Sequence, residues 1–135
     1  MSIDFHALRR GDRLPAIAFT VTSDDVGAYL DATGEDARPW SAHVPPLALG
    51  AYILAGLMEE MPLPAGALHA GQEFEFLDLV AQGEPLEADL SVAQQSMRQG
   101  SKIVVFASEL RAGGRTVLRG RTSVMAPVEG VVEAK

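Results

Sequence analysis

The sequence predicts an α+β protein in which a five-stranded antiparallel sheet wraps around one long central helix. Two observations predict this class. The segment from Pro46 to about Glu60 is apolar on every side until its last two residues, so a helix formed there must be covered all round. Much of the remaining chain reads as strands separated by turns, which leaves a sheet as the element that covers the helix.

Length and composition place the chain among ordinary globular proteins. Its 135 residues fit one domain, residues 1–135, with 47% hydrophobic and 21% charged residues. The formal net charge of -7, without a dense basic cluster, argues against a nucleic-acid partner. The absence of cysteine excludes a disulfide framework and a cysteine nucleophile. Neither a signal peptide nor a membrane span is predicted, so we expect a soluble cytoplasmic protein.

The first part of the chain is predicted to be a loose lead-in followed by a strand. Residues 2–15 mix charged residues with glycine and proline, and we expect them to be loosely held. Apolar residues then alternate with small or polar ones, as in a strand that ends at Ser23. The alternating residues are Ile17, Phe19 and Val21.

A short helix is predicted from about residue 24 to residue 33. Thr22 or Ser23 is suited to cap it, and two aspartates in its first turn favour the positive end of the helix dipole. Gly34 is expected to end it in a left-handed conformation. The buried stripe consists of Val26, Tyr29, Leu30 and Thr33.

Prolines bound the long helix, and strands follow it. Pro46 is favourable as a first helical residue because its missing N–H costs nothing there, and Pro62 ends the helix. The paired glycines within residues 111–115 predict a tight hairpin between the last two strands. The tail after Pro127 is expected to fray. The four predicted strands span roughly residues 69–80, 85–98, 101–112 and 115–126.

Two segments carry a resemblance to a known family. Residues 29–39, YLDATGEDARP, are similar to the hydratase motif Y-A-x-x-S-G-D-x-N-P-x-H with one inserted residue. Residues 69–76, HAGQEFEF, followed by GEPL at 83–86, are similar to the second strand and G-D-x-L turn of the same proteins. The chain thus resembles the MaoC-like (R)-specific enoyl-thioester hydratases and 3-hydroxyacyl dehydratases, especially N-terminal MaoC-type domains that lack the full motif. The resemblance implies the hot-dog fold.

The resemblance also implies a chemistry and the residues for it. Adding water to an enoyl thioester needs a base, an acid and donors for the enolate-like oxygen. Asp36 matches the motif aspartate, whereas Ser41 stands where the motif has histidine, so His43 is the remaining candidate for the second catalytic group. Because Pro46 has no N–H, the oxygen donor would be an amide of the next two residues. The candidate substrate-binding residues are Arg38, Trp40, Ser41, Leu47, Ala48 and Tyr52.

Three functions remain open at this point. The first is an acyl-thioester protein of nominal (R)-hydratase or dehydratase activity, acting on acyl-CoA or an acyl-carrier-protein thioester. The second is a non-catalytic subunit that pairs with a catalytic MaoC-like chain, and the third is a hot-dog thioesterase using Glu59 or Glu60. A homodimer, or a heterodimer with another MaoC-like chain, is expected because a single hot-dog leaves a sheet edge open and its central helix incompletely covered. No cofactor is expected, and no metal site, because His6, His43 and His69 lack metal-ligand spacing.

Several of these residues also have purely structural interpretations. Asp36 is of a type that caps turns, and His43 is of a type often satisfied by backbone groups in a loop. Trp40 and Tyr52 are equally consistent with plain packing beside the central helix. The two glycines of the helix, Gly50 and Gly56, each lower helix propensity by about 1 kcal/mol relative to alanine. They indicate close approach of a sheet or of a second copy of the helix.

Overall fold

Five antiparallel strands form one sheet in the computed structural model, which describes residues 3–128. The sheet has the strand order β1-β3-β4-β5-β2, so β1 and β2 are its edges. The α+β class and the predicted order of elements are confirmed. The elements are β1 (Ile17–Phe19), α1 (Ser23–Thr33), α2 (Pro46–Glu60), β2 (Leu68–Phe76), β3 (Leu86–Arg98), β4 (Ser101–Ala112) and β5 (Arg115–Pro127).

Helix α1 has the predicted caps at both ends. The Asp25 backbone N–H donates to the Thr22 hydroxyl oxygen at 3.2 Å, and the Thr22 N–H donates to the Asp25 carboxylate at 3.0 Å. This reciprocal capping box satisfies two amides that the helix itself cannot. Gly34 ends the helix at φ +72°, with its N–H donating to the Leu30 carbonyl oxygen. The predicted bounds, 24 to 33, differ from the structure by one residue.

Helix α2 lies against the inner face of the sheet through its two glycines. A Cβ on Gly50 would lie 2.5 Å from two ring atoms of Phe74, and one on Gly56 would lie 2.5 Å from a methyl carbon of Ile17. Only glycine permits this approach, so the prediction that these glycines admit a sheet is confirmed. The buried residues of the helix are Ala48, Leu49, Gly50, Ile53 and Leu57.

A single chain is expected to leave α2 incompletely covered, and the structure confirms this. Leu47 is 58% exposed, and Ala51 and Ala55 are also exposed. These residues follow one another at intervals of four, which places them on one face of the helix. The sheet therefore leaves one apolar stripe of α2 uncovered.

The prediction that residues 2–15 are loosely held is wrong. Phe5, Leu8 and Leu14 are buried in the core. The buried ammonium of Lys102, on β4, donates to the carbonyl oxygens of His6 at 2.8 Å and Leu8 at 2.7 Å. Burial lowers the pKa of Lys102, while the charges of two nearby aspartates partly oppose that shift. The lead-in is therefore fastened to the sheet by a contact that its own sequence pattern does not reveal.

The last strands follow the prediction closely. Gly113 and Gly114 have φ of +57° and +85°, as the predicted hairpin requires. The second strand is shorter than predicted, because residues 77–80 leave the sheet to form a loop. Most of the tail after Pro127 lies outside the described residues. Among the described residues, none of the helices has both the length and the apolar character needed to cross a membrane.

Candidate functional site

The loop between α1 and α2 carries most of the candidate residues, and hydrogen bonds fix its second half. After Gly34, a 3₁₀ turn forms at Arg38–Trp40, where Pro39 supplies a suitable fixed φ. The backbone then becomes extended, with His43 in a bridge to Ala81 and the Val44 N–H donating to the Val80 carbonyl oxygen at 2.8 Å. The loop therefore reaches α2 in a defined path.

Asp36 forms a close ion pair with Arg38. The Arg38 Nε donates to both carboxylate oxygens at 3.0 and 3.1 Å, and Nη2 donates to Oδ2 at 2.8 Å. The Arg38 backbone N–H adds a fourth bond at 3.0 Å. The side-chain bonds, and then the backbone bond, hold the pKa of Asp36 below its usual value. The Arg38 side chain is 90% exposed and that of Asp36 52%, so water competes with this pair, and the lowered pKa makes the carboxylate a weaker proton acceptor.

His43 and Ser41 are not part of this ion pair. Ser41 is exposed, and His43 is half-buried. No hydrogen bond joins the His43 imidazole to another group within residues 3–128. The imidazole is therefore available for chemistry, but no hydrogen bond or ion pair among residues 3–128 links it to Asp36.

Gln82 holds the loop in place, and the sequence analysis missed it. Its side-chain amide donates to the Trp40 carbonyl oxygen at 2.8 Å and, at 3.5 Å, to that of His43. Its backbone N–H donates to the Ala42 carbonyl oxygen at 3.0 Å. Trp40 itself is half-buried and packs against the core. The only signal for Gln82 in the sequence is its position just before the GEPL turn.

Arg115 stabilises the segment that carries Gln82. Its Nε donates to Asp78 at 3.0 Å and its Nη1 donates to Glu84 at 3.0 Å. Its Nη2 also donates to the Leu79 carbonyl oxygen at 3.1 Å. Residues on both sides of Gln82 are thus tied to the start of β5.

The first turn of α2 offers a free amide at Leu47. Pro46 has no N–H, and the Ala48 N–H already donates to the Pro45 carbonyl oxygen at 3.0 Å. The Leu47 N–H has no acceptor within residues 3–128. Of the two donors that the sequence suggested, only Leu47 is thus free at the positive end of the helix dipole.

Tyr52 lies with β1 and α1 rather than with the loop residues. Its ring stacks on Phe19 at 5.6 Å between centroids and an interplanar angle of 9°. Burial raises the pKa of its hydroxyl, and the charge of Asp25 raises it further. Four of the other candidates form two groups, Asp36 with Arg38 and Trp40 with His43 through Gln82. Within the described part of the chain, no three histidine or acidic side chains are grouped to hold a metal ion.

The comparisons with known proteins give structural matches only. No family model matches the sequence, and no curated relative does. The R-hydratase PhaJ1 from Pseudomonas aeruginosa matches with a TM-score of 0.78 and 21% identity, over 95% of this chain and 88% of that one. A MaoC-like dehydratase from Rhodospirillum rubrum matches with a TM-score of 0.72 and 19% identity, over 93% of this chain and 97% of that one.

A third match is to a complex of two kinds of chain. The HadBC (3R-hydroxyacyl-ACP dehydratase) complex from Mycobacterium tuberculosis has a TM-score of 0.66 and 21% identity, over 87% of this chain and 96% of the matched chain. At these identities the likeness concerns architecture. The chain therefore has the MaoC-like hot-dog fold that these hydratases and dehydratases share.

Proposed function

We propose that this chain is a MaoC-like protein that binds acyl thioesters and serves as the non-catalytic subunit of an (R)-hydratase or dehydratase. The observation that carries the proposal is the ion pair between Asp36 and Arg38. It occupies both oxygens of the only carboxylate that matches the hydratase motif. Ser41 occupies the position of the motif histidine, and a serine hydroxyl cannot act as an acid or a base near neutral pH. The proton-transfer groups would then come from a second chain.

Binding of the thioester is supported by the start of α2. The free Leu47 N–H lies at the positive end of the helix dipole, where a polarised carbonyl oxygen is stabilised. The neighbouring loop is fixed through Gln82 and Arg115, so little further ordering is needed on binding. The acyl chain would run along α2 beside this loop.

Pairing with a second hot-dog chain is supported by two uncovered surfaces. Strand β2 pairs with β5 along one edge, and within the described residues its other edge pairs with no strand. The apolar stripe of α2, Leu47, Ala51 and Ala55, is exposed as well. A strand edge and an apolar helix face are both removed from water when two such sheets join.

A self-sufficient hydratase is the second candidate, and the free imidazole of His43 favours it. In that case Asp36 and His43 would share the proton transfers, after a shift of the loop that breaks the ion pair with Arg38. The thioesterase hypothesis gains no such support, because Glu59 and Glu60 lie at the C-terminal end of α2.

The two candidates are separated by measuring binding and turnover independently. We expect butanoyl-CoA to bind to the purified chain in calorimetry, while the enoyl absorbance of crotonyl-CoA stays unchanged. Addition of a hot-dog partner chain with an intact Asp–His motif should then start turnover. Turnover by the chain alone, abolished separately by Asp36→Asn and His43→Ala, would establish the self-sufficient enzyme instead. Failure to bind butanoyl-CoA, alone or with the partner, would refute both candidates.

A further inference from the structure

Strand β2 forms one edge of the sheet, and the regular part of this edge is short. Residues 71–76 pair continuously with β5, whereas the register shifts between His69 and Gly71. Within residues 3–128, the backbone groups of β2 that point away from β5 pair with no strand. The strand of a second chain that completes this edge is therefore expected to pair along residues 71–76.

The outward face of this edge is acidic. The ring of Phe74 lies against Gly50 of α2 and Gly120 of β5, on the inner side of the sheet. Because side chains alternate along a strand, Glu73 and Glu75 lie on the outer side. Both residues are exposed. A strand that joins this edge therefore meets two carboxylates on its outward face.

The basic residues beside these carboxylates lie on the other neighbouring strand. Arg121 and Arg119 of β5 pair in register with Glu73 and Glu75 respectively. The Arg119 guanidinium is 4.0 Å from the Glu75 carboxylate, and its Nε also donates to Glu109 at 3.4 Å. Both arginines thus extend from the side of β2 that is opposite to an incoming chain.

A second copy of this chain would bring like charges together. The centre of residues 71–76 falls between Glu73 and Phe74, so a two-fold axis that preserves this pairing lies at one of these two residues. With the axis at Phe74, Glu73 faces Glu75 of the copy, and this pair occurs twice. With the axis at Glu73, that residue faces its own counterpart. Like charges directly opposite each other destabilise an antiparallel pair of strands.

The apolar residues at the end of the edge favour association without selecting the partner. Phe76 is 40% exposed and Leu77 is 42% exposed. Their burial would favour any second chain of suitable shape, because the hydrophobic effect is not directional. Charge is the property that distinguishes one such chain from another.

We infer that the β2 edge is adapted to an unlike chain, namely a hot-dog edge strand with lysine or arginine at the outward positions opposite Glu73 and Glu75. The inference rests on the proposed subunit function and specifies the partner for it. Burial of apolar surface drives the association, and the opposite charges select an unlike chain over a second copy.

Sedimentation equilibrium tests the inference in about 0.15 M salt, where charges more than about 8 Å apart are largely screened. Glu73→Gln/Glu75→Gln removes both charges and keeps the side-chain size, so it should self-associate at least about threefold more tightly than the wild type. Glu73→Lys/Glu75→Lys carries the charges expected of the partner. Its equimolar mixture with the wild type should form dimers at least about tenfold more tightly than the wild type alone.

Asp24→Lys/Asp31→Lys is the matched control, because it makes the same change of charge at exposed positions of α1. Its equimolar mixture with the wild type should have the dissociation constant of the wild type alone. Circular dichroism establishes that each variant is folded, and if the Glu73→Lys/Glu75→Lys variant does not fold, the glutamine variant decides.

Three results would overturn the inference. The first is a wild type that self-associates as tightly as Glu73→Gln/Glu75→Gln, and the second is a control mixture as tight as the mixture with Glu73→Lys/Glu75→Lys. The third is the absence of dimers in every sample, since the edge would then join no chain. Calorimetry with butanoyl-CoA on the same samples tests the proposed function separately, because acyl-thioester binding does not depend on the charges of this edge.

Discussion

Replacing Gly50 with alanine tests the close contact between α2 and β2. The new methyl carbon would lie 2.5 Å from two ring carbons of Phe74 and 3.1 Å from a third, whereas carbon atoms prefer about 3.5–4.0 Å. The ring has no retreat towards Gly120, so it must turn outwards. Overpacking of this kind costs about 1–3 kcal/mol, and the gain in helix propensity returns about 1 kcal/mol. We expect a net loss of up to about 2 kcal/mol in the free energy of unfolding, against a gain if the contact were absent.

Urea unfolding, followed by circular dichroism and by the fluorescence of Trp40, measures this loss. Gly27→Ala is the matched control, because Gly27 lies inside α1 with nothing within 4 Å of an added Cβ. It should stabilise the protein by about 0.5–1 kcal/mol through helix propensity alone. Introducing Phe74→Leu into Gly50→Ala should recover part of the loss. Equal stabilities of the Gly50→Ala and Gly27→Ala variants would refute the contact reasoning.

Two further predictions concern the lead-in and α1. Lys102→Met should lower the free energy of unfolding, measured by urea denaturation, by about 2–3 kcal/mol, because the carbonyl groups of His6 and Leu8 lose a charged donor. An unchanged free energy of unfolding would show that this contact adds no net stability. Because the pKa of Lys102 is lowered in the folded state, the unfolded state binds more protons between the two pKa values. The wild type should therefore gain stability relative to Lys102→Met as pH rises from the folded pKa to the unfolded pKa of about 10.4. Thr22→Ala should lower the free energy of unfolding by about 1 kcal/mol, because the N-terminal cap of α1 is lost. A decrease near zero would contradict the capping box. Because the pKa of Asp25 is lowered in the folded state, its contribution to the free energy of unfolding is present above the unfolded pKa and is lost as pH falls through the folded pKa. The stabilities of the wild type and Asp25→Asn in acid unfolding should therefore converge below about pH 4.

Local chemistry explains why much of the fold could be predicted. The capping residues of α1, the proline that starts α2 and the glycine pair of the last hairpin each act on their own neighbours, and each lies where expected. The lead-in could not be predicted, because its anchor, Lys102, is 96 residues from His6. The incomplete cover of α2 was expected for a single hot-dog, but which of its residues stay exposed depends on how far the sheet curls, and residue patterns do not encode that.

The sequence suggested candidate residues for the site but not their contacts. The motif identified Asp36, yet its ion pair with Arg38 depends on the 3₁₀ turn that brings residues two apart together. Gln82 could not be found, since the carbonyl groups that it holds lie 39 and 42 residues away. The roles of Asp36 and His43 in catalysis stay predictions.

The fastening of residues 6–8 by Lys102 has a consequence for how the protein comes apart. This segment cannot detach from the sheet at low free-energy cost. Its release would expose buried apolar side chains to water and leave the Lys102 ammonium without its carbonyl acceptors. Residues 5–8 therefore belong to the same cooperative unit as the sheet, and a protease should cut there only in molecules that have already unfolded as a whole.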